Sequence, residues 1–183
     1  MKTELEIEKK FFVPESHTLR QRMIDIIFVK EKRYYLYRRQ DNEIRFASCT
    51  SQNGEVTCTL DRMILQPTSN SSHIVRQKER LIISLKEYQE LEQLVAGRQE
   101  PIIRDHYHLT SDPKCELKVY QGKFAKLIRA EVEFETVEEA VKYVPLFWFG
   151  KEITDSHVGR DTLLPDLSLE EFASILKNLN STS

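Results

Sequence analysis

Apolar and polar residues alternate one by one along much of the chain, the pattern of β-strands whose side chains point to opposite faces. Near the start, Glu4, Glu6 and Glu8 alternate with Leu5 and Ile7. Eight stretches of this kind, separated by turn residues, predict strands. They are 4–13, 33–38, 43–49, 55–63, 74–83, 103–109, 115–121 and 126–135.

Helices are predicted where a Ser or Thr is followed three residues later by Glu, because these two residues cap a helix start reciprocally. The predicted helices run from Ser84 to Gly97, from Thr136 to before Pro145, over about 168–179, and from about Glu15 to Phe28. The segment PTSNSSH at 67–73 is predicted to be a loop. Eight strands and a few peripheral helices in one domain, 1–183, predict an α+β fold built on an eight-stranded antiparallel barrel.

The composition limits the classes of function. Lys and Arg number 27 against 29 Asp and Glu, so net charge gives no reason to expect a nucleic acid or a membrane as partner. Apolar runs are far shorter than the roughly 20 residues that span a bilayer, and the first residues lack the apolar segment of a signal peptide. Cys49, Cys58 and Cys115 form no CxxC pair, which favours reduced thiols over a zinc site. These observations predict a cytoplasmic domain.

Most of the predicted strands carry charge on one face and apolar residues on the other. Glu131 and Glu133 share a face of one strand, and Arg76, Lys78 and Arg80 share a face of another. If these faces point into a barrel, they form a tunnel with acidic and basic walls, which needs water or a charged ligand to fill it. If they point outward, the apolar faces form an ordinary core. Periodicity alone favours the second arrangement, because most amphipathic strands are built that way.

Three segments carry a family resemblance: EIEKKFFV at 6–13, KVYQG…LIRAEVEF at 118–134 and WFGKEITD at 148–155. They resemble the ExExK, DVFxG…LxxxEVEF and WxGxEVT motifs of the CYTH superfamily, also called triphosphate tunnel metalloenzymes. Their order and spacing agree with that family from about residue 4 to 164. A single ExExK motif is a weak signal, whereas three segments in register are fairly specific.

The resemblance implies a barrel whose charged faces line a tunnel. Such a tunnel binds a triphosphate-containing small molecule with Mg²⁺ or Mn²⁺ and hydrolyses it, which would make the chain a triphosphatase-type phosphohydrolase. By residue matching, the metal ligands are Glu6, Glu8, Glu131 and Glu133, and the catalytic residues are Glu6, Glu8 and Lys10. The matching substrate-binding residues are Lys10, Arg45, Arg76 and Arg104, and Lys78 and Lys118, which differ from the family pattern, are predicted to bind the substrate as added cations.

The sequence also departs from the family pattern. Four tunnel positions have the opposite charge, namely Asp61, Lys78, Arg80 and Lys118, and His106 stands where an arginine is expected. The added cations could bind a polyphosphate. Alternatively, they could pair with the tunnel glutamates and produce a catalytically degenerate barrel that binds an anion, a nucleotide or a protein partner without turnover. Both hypotheses remain open from the sequence.

Two further groups of residues have ordinary structural interpretations. YYLYRR at 34–39 is predicted to be a strand whose tyrosines pack under a helix, and Lys30, Lys32 and Arg33 are predicted to form a solvated basic loop. His106 is predicted to be a strand histidine in a polar setting rather than a metal ligand, because no third ligand is in view.

Overall fold

Eight antiparallel strands close into a barrel in the computed structural model, which describes residues 2–16, 19, 23, 26–39, 41–66 and 73–181. The strands are β1 (Lys2–Phe12), β2 (Phe28–Arg38), β3 (Asn42–Ser51), β4 (Val56–Leu65), β5 (Ile74–Ile83), β6 (Ile102–Ser111), β7 (Lys114–Tyr120) and β8 (Ile128–Phe134). Their order around the barrel is β1-β5-β4-β3-β2-β6-β7-β8. The predicted α+β barrel and all eight of its strands are confirmed.

Three helices surround the barrel within the described residues: α1 (Leu85–Val95), α2 (Val137–Lys142) and α3 (Leu169–Ser181). Each begins with the predicted capping pair. At α1 the Ser84 hydroxyl accepts the Glu87 N–H at 3.2 Å, and the Glu87 carboxylate accepts the Ser84 N–H at 2.7 Å. Gly97 follows α1 with φ of +72°, a left-handed conformation that favours glycine, as expected of a helix stop.

Two predictions concern residues outside the described ranges. They are the helix predicted from about Glu15 to Phe28, most of which is outside these ranges, and the loop predicted at 67–73, of which only His73 is described. A third prediction is wrong. Lys32 and Arg33 do not lie in a solvated loop but on β2, where Lys32 pairs with Glu92 of α1 outside the barrel and Arg33 is buried inside it.

The apolar faces of the strands lie outside the barrel, where helices and the C-terminal segment cover them. Tyr34 and Phe46 stack at 5.3 Å beneath Tyr88 of α1, which confirms the predicted packing under a helix for Tyr34. Tyr35 belongs instead to the cluster that includes Leu164, and Tyr37 is exposed. On another side, Phe11 and Val132 belong to a cluster that α2 covers. The arrangement that periodicity favoured, with charged faces outward, is wrong, because these external layers bury the apolar faces and leave the charged faces inside.

One end of the barrel is plugged by an apolar cluster. Phe12 and Ile102 of the inner wall meet Leu164 and Leu176 from the C-terminal segment there. Among the described helices, none is long and apolar enough to span a membrane. The plug means that the charged interior opens toward the other end.

Candidate functional site

The charged faces of the strands enclose a cavity of about 170 Å³ inside the barrel. Alternation along each strand explains the charge of the wall, because every second residue points inward. All ten residues predicted for the site line this cavity: Glu6, Glu8, Lys10, Arg45, Arg76, Lys78, Arg104, Lys118, Glu131 and Glu133. The structure therefore brings the predicted residues together, while their individual roles stay predictions.

The cavity narrows toward the plugged end and opens at the other. The side chains of Arg104 and Arg129 near the plug have 1% and 0% of their surface exposed. At the opposite end, the side chains of Arg80 and Lys114 are 39% and 43% exposed. A ligand would therefore enter past Arg80 and Lys114.

Asp161, from the segment that follows β8, anchors the closed end. Its carboxylate accepts hydrogen bonds from Arg33 at 2.8 Å, from Arg129 at 2.9 Å and from the Tyr120 hydroxyl at 2.6 Å, and it also accepts one from Arg104. Burial alone would raise the pKa of Asp161, but the arginines, Arg104 foremost, hold it well below its usual value. Asp161 is therefore a buried, ionised hub for three arginines.

Glu31 of β2 joins the hub to the cavity wall. Its carboxylate accepts hydrogen bonds from Arg33 at 2.6 Å and Arg104 at 2.7 Å, and the Nε2 atom of His106 lies 2.6 Å away. These cations overcome the effect of burial and keep the pKa of Glu31 well below its usual value. Burial lowers the pKa of His106 below its ordinary 6.5, so its imidazole is neutral at neutral pH.

Four lysines each bridge two carboxylates on the β1, β7 and β8 wall. Carboxylates face each other here, since Glu8 is opposite Glu133 and Glu116 is opposite Glu131, and such like-charge pairs repel. The bridges are Lys10 between Glu8 and Glu131, Lys78 between Glu4 and Glu6, Lys114 between Glu116 and Glu133, and Lys118 between Glu116 and Glu131. We call these four lysines, with their carboxylate contacts, the lysine bridges.

Arginines of β3 and β5 supply further positive charge to the wall. Arg45 pairs with Glu43 at 2.8 Å, and Arg80 forms a bidentate pair with Asp61 at 2.7 and 2.8 Å. Arg76 contacts Glu8, and its guanidinium lies 3.5 Å from Glu6. The Nε–H groups of Arg45 and Arg76 are buried and make no hydrogen bond among the described residues, and the Nε atom of Arg45 lies 3.5 Å from an oxygen of Asp61. Both groups can therefore donate a hydrogen bond to a ligand.

Burial shifts the charge equilibria of the wall. Burial lowers the pKa of Lys10 to about 8, with Glu8 and Glu131 opposing the shift, so Lys10 remains largely protonated at neutral pH. Burial would raise the pKa of Glu6, yet Arg76 and Lys78 lower it to about 2. Near neutral pH Lys10 and Glu6 are therefore both charged.

Several members of the site were missed in the sequence. Arg33 and Glu31 were detectable, because they continue the period-two alternation of β2 toward Tyr35. Arg129 stands on the same face as Glu131 and was detectable in the same way. Asp161 lies outside the strands, and no local pattern marks it as the partner of three arginines.

The predicted Mg²⁺ or Mn²⁺ does not fit the carboxylates as they are arranged. Glu6, Glu8, Glu131 and Glu133 are each in contact with at least one lysine or arginine nitrogen. Across the described residues, no group of three or more His, Cys, Asp or Glu is placed to hold a metal ion. Divalent metal binding stays a prediction, and no step of the chemistry below depends on it.

Acid is expected to destabilise the barrel. A carboxyl group whose pKa is lower in the folded than in the unfolded state stabilises the fold above its unfolded pKa, and this stabilisation disappears as pH falls through the folded pKa. For Glu6 that window runs from the ordinary 4.5 down to about 2. Urea unfolding between pH 7 and pH 2 should show a free energy of unfolding that falls below about pH 4.5. A free energy that stays constant to the acid end would contradict these ion pairs.

Comparisons with known proteins agree with this architecture. No protein-family profile matches the sequence. Over 80 residues the chain is 30% identical to an inorganic triphosphatase of Nitrosomonas europaea, a match that covers 44% of this chain and 53% of that protein. The chain therefore matches only about half the length of this curated relative.

Solved structures share the barrel over most of the chain. The crystal structure of the inorganic triphosphatase NE1496 aligns with a TM-score of 0.54 and 24% identity over 89% of this chain and 95% of that one. A Hippeastrum protein, described as a candidate adenylyl cyclase with a dominant triphosphatase activity, aligns with a TM-score of 0.52 and 15% identity over 74% and 82%. These likenesses show that the chain has the same barrel fold as these two proteins.

Proposed function

We propose that the chain binds the triphosphate group of a small molecule inside its tunnel and hydrolyses it. The observation that carries the proposal is the buried Nε–H group of Arg76, which makes no hydrogen bond in the described part of the chain and belongs to a side chain that lines the cavity. The Nε–H group of Arg45 also makes none, although it lies 3.5 Å from Asp61. A buried donor without an acceptor is costly, and a phosphate oxygen would satisfy it. The name of the Nitrosomonas relative, an inorganic triphosphatase, agrees with this ligand.

The cavity wall offers many N–H donors to a polyanion, while its own charges cancel. The cavity is lined by nine Lys or Arg residues and seven Asp or Glu residues. Glu43 pairs with Arg45 and Asp61 pairs with Arg80, which brings the number of carboxylates to nine as well. An ammonium group carries three N–H donors, so a bridging lysine can keep a carboxylate and still donate to a phosphate oxygen. The triphosphate would be held by the arginines and by the lysine bridges together.

Hydrolysis of a phosphoanhydride depends mainly on positioning and on neutralising the charge of the transferred phosphoryl group. A proton acceptor for the attacking water is also needed, and His106 is the candidate. Its ring lines the cavity and is neutral at neutral pH, so it can accept a proton. The neighbouring Glu31 is a poorer proton acceptor, because its arginine partners keep its pKa well below the usual value. The imidazole would take a proton from water while the water oxygen attacks the terminal phosphorus. The bond from this phosphorus to the bridging oxygen breaks, and the rest of the ligand leaves with that oxygen.

Arg76→Met should weaken the binding of inorganic triphosphate by about 10-fold or more, because it removes charge-assisted hydrogen bonds to the ligand. The fold should tolerate the change, since Glu8 keeps Lys10 at 3.2 Å and Glu6 keeps Lys78 at 2.6 Å. Isothermal titration calorimetry measures the affinity. Arg62→Met is the matched control, because Arg62 lies on the same sheet with 48% of its side chain exposed outside the barrel. Equal affinities for the two variants would refute the tunnel as the binding site.

A second candidate function is binding without turnover. The observation in its favour is the internal neutralisation of the wall, in which the described tunnel carboxylates already pair with lysines and arginines. A folded protein that binds triphosphate but releases no phosphate would establish this alternative. The specific triphosphate compound, a cytoplasmic location and the absence of a nucleic-acid partner stay predictions.

A further inference from the structure

We infer that the tunnel holds its triphosphate ligand without a divalent metal ion, because ammonium groups already bridge the carboxylates that such an ion would need. The inference rests on the proposed function for the identity of the ligand. It adds which groups hold the ligand, and it departs from the metal-dependent chemistry that the resemblance implies.

The lysine bridges occupy the predicted metal ligands. Lys78 lies 2.6 Å from Glu6, Lys10 lies 3.2 Å from Glu8 and 3.7 Å from Glu131, and Lys114 lies 2.9 Å from Glu133. Lys118 adds a second contact to Glu131. Each ammonium group stands between two carboxylates and offsets their repulsion, which is the electrostatic role that a bound cation would have.

A divalent ion would have to displace these lysines. Mg²⁺ requires oxygen ligands in near-octahedral geometry at about 2.0–2.1 Å, so carboxylate oxygens that now face ammonium groups would have to turn toward the ion. The Lys10 and Lys118 side chains are only 2% and 9% exposed, and without their carboxylates they would become buried cations without a counter-charge. Such uncompensated buried charges are strongly unfavourable.

The cations of the wall can donate hydrogen bonds to the ligand directly. The Nε–H groups of Arg45 and Arg76 make no hydrogen bond within the described chain, and both side chains line the cavity. The lysine bridges hold further N–H groups for phosphate oxygens. A triphosphate can therefore be held by hydrogen bonds from protein cations that are already in place, with no accompanying metal.

Calorimetric titration of sodium triphosphate into the wild-type protein, once with EDTA and once with excess Mg²⁺, tests the inference. We expect an affinity in EDTA that is equal to the affinity in Mg²⁺ within about threefold, or tighter. Binding that occurs only with Mg²⁺ would overturn the inference while the proposed function stands. Binding in neither solution would overturn the proposed function and the inference with it.

A double substitution further distinguishes binding without a metal ion from binding through one. Glu6→Gln/Glu8→Gln removes two carboxylates that compete with the ligand for Arg76 and Lys78, so the affinity for triphosphate in EDTA should stay unchanged or rise. If the same carboxylates held an essential metal, the affinity in Mg²⁺ should fall instead. A fall of about 10-fold or more in Mg²⁺, with the melting temperature preserved, would overturn the inference.

Mn²⁺ binding, followed by electron paramagnetic resonance without any triphosphate, gives a readout independent of turnover. Wild-type protein should bind no Mn²⁺ in the tunnel at micromolar concentrations, whereas Lys118→Asp should gain a site, because it gathers a third carboxylate beside Glu116 and Glu131. Lys86→Asp, the same change on the exposed surface of α1, should gain none. Tight Mn²⁺ binding by the wild-type tunnel would overturn the inference.

Discussion

Asp161→Ala is expected to lower the free energy of unfolding by about 4 kcal/mol, because breaking a buried ion pair leaves the remaining charge without a partner. Here one carboxylate serves Arg33, Arg104 and Arg129 together, and it also accepts the Tyr120 hydroxyl. Glu31 still neutralises Arg33 and Arg104 in the variant, but Arg129, with 0% of its side chain exposed, keeps only Glu131 as a charged partner. Urea unfolding at neutral pH measures the loss.

Asp155→Ala provides the control for this prediction. Asp155 lies six residues earlier in the same segment, with 57% of its side chain exposed and a 3.8 Å contact to Arg160. Exposed ion pairs contribute little, so the control should change the free energy of unfolding by less than about 1 kcal/mol. If Asp161→Ala changed the free energy of unfolding as little as Asp155→Ala, the contacts of Asp161 would not be what stabilises the closed end.

His106→Gln is expected to lower the kcat for triphosphate hydrolysis by about 100-fold or more, the usual effect of removing a general base. Glutamine keeps a polar side chain of similar length but cannot take a proton at neutral pH. The Kd for triphosphate should change little, because the binding donors belong to arginines and lysines. Phosphate release measures kcat, and calorimetry measures Kd.

His108→Gln is the matched control for the histidine. His108 lies two residues along β6, is exposed, and contacts the Ser111 hydroxyl at 3.2 Å. Its substitution should leave kcat unchanged.

In the wild type the rate of hydrolysis should fall only as pH drops below the ordinary histidine value of 6.5, because burial lowers the pKa of His106 and the neutral form is the active one. A normal kcat for His106→Gln would remove this residue from the chemistry.

Local patterns in the sequence were sufficient for the elements of the fold. Alternation located all eight strands, and the Ser84, Thr136 and Ser168 capping pairs located three helices. Both signals arise from contacts between residues close in the chain. The inward direction of the charged faces could not be derived this way, because it depends on what covers the outer faces, and only the family resemblance indicated it.

Many of the residues that line the candidate site could be predicted from the sequence, but most of the ion pairs between them could not. The reversed charges at Lys78 and Lys118 raised the possibility of internal pairing, and the structure shows both in contact with tunnel glutamates. Which carboxylate each lysine meets depends on strand register and barrel closure, which alternation does not specify. Asp161 was missed because its partners lie 32 to 128 residues away in the chain.

Phosphate release from inorganic triphosphate by the wild-type protein, in EDTA and again in Mg²⁺, tests the central claim most directly. The account predicts steady release that persists in EDTA and is strongly reduced by His106→Gln but not by His108→Gln. A folded protein that releases no phosphate from inorganic triphosphate, thiamine triphosphate or ATP in either solution would contradict the claim of hydrolysis and leave a barrel that binds without turnover.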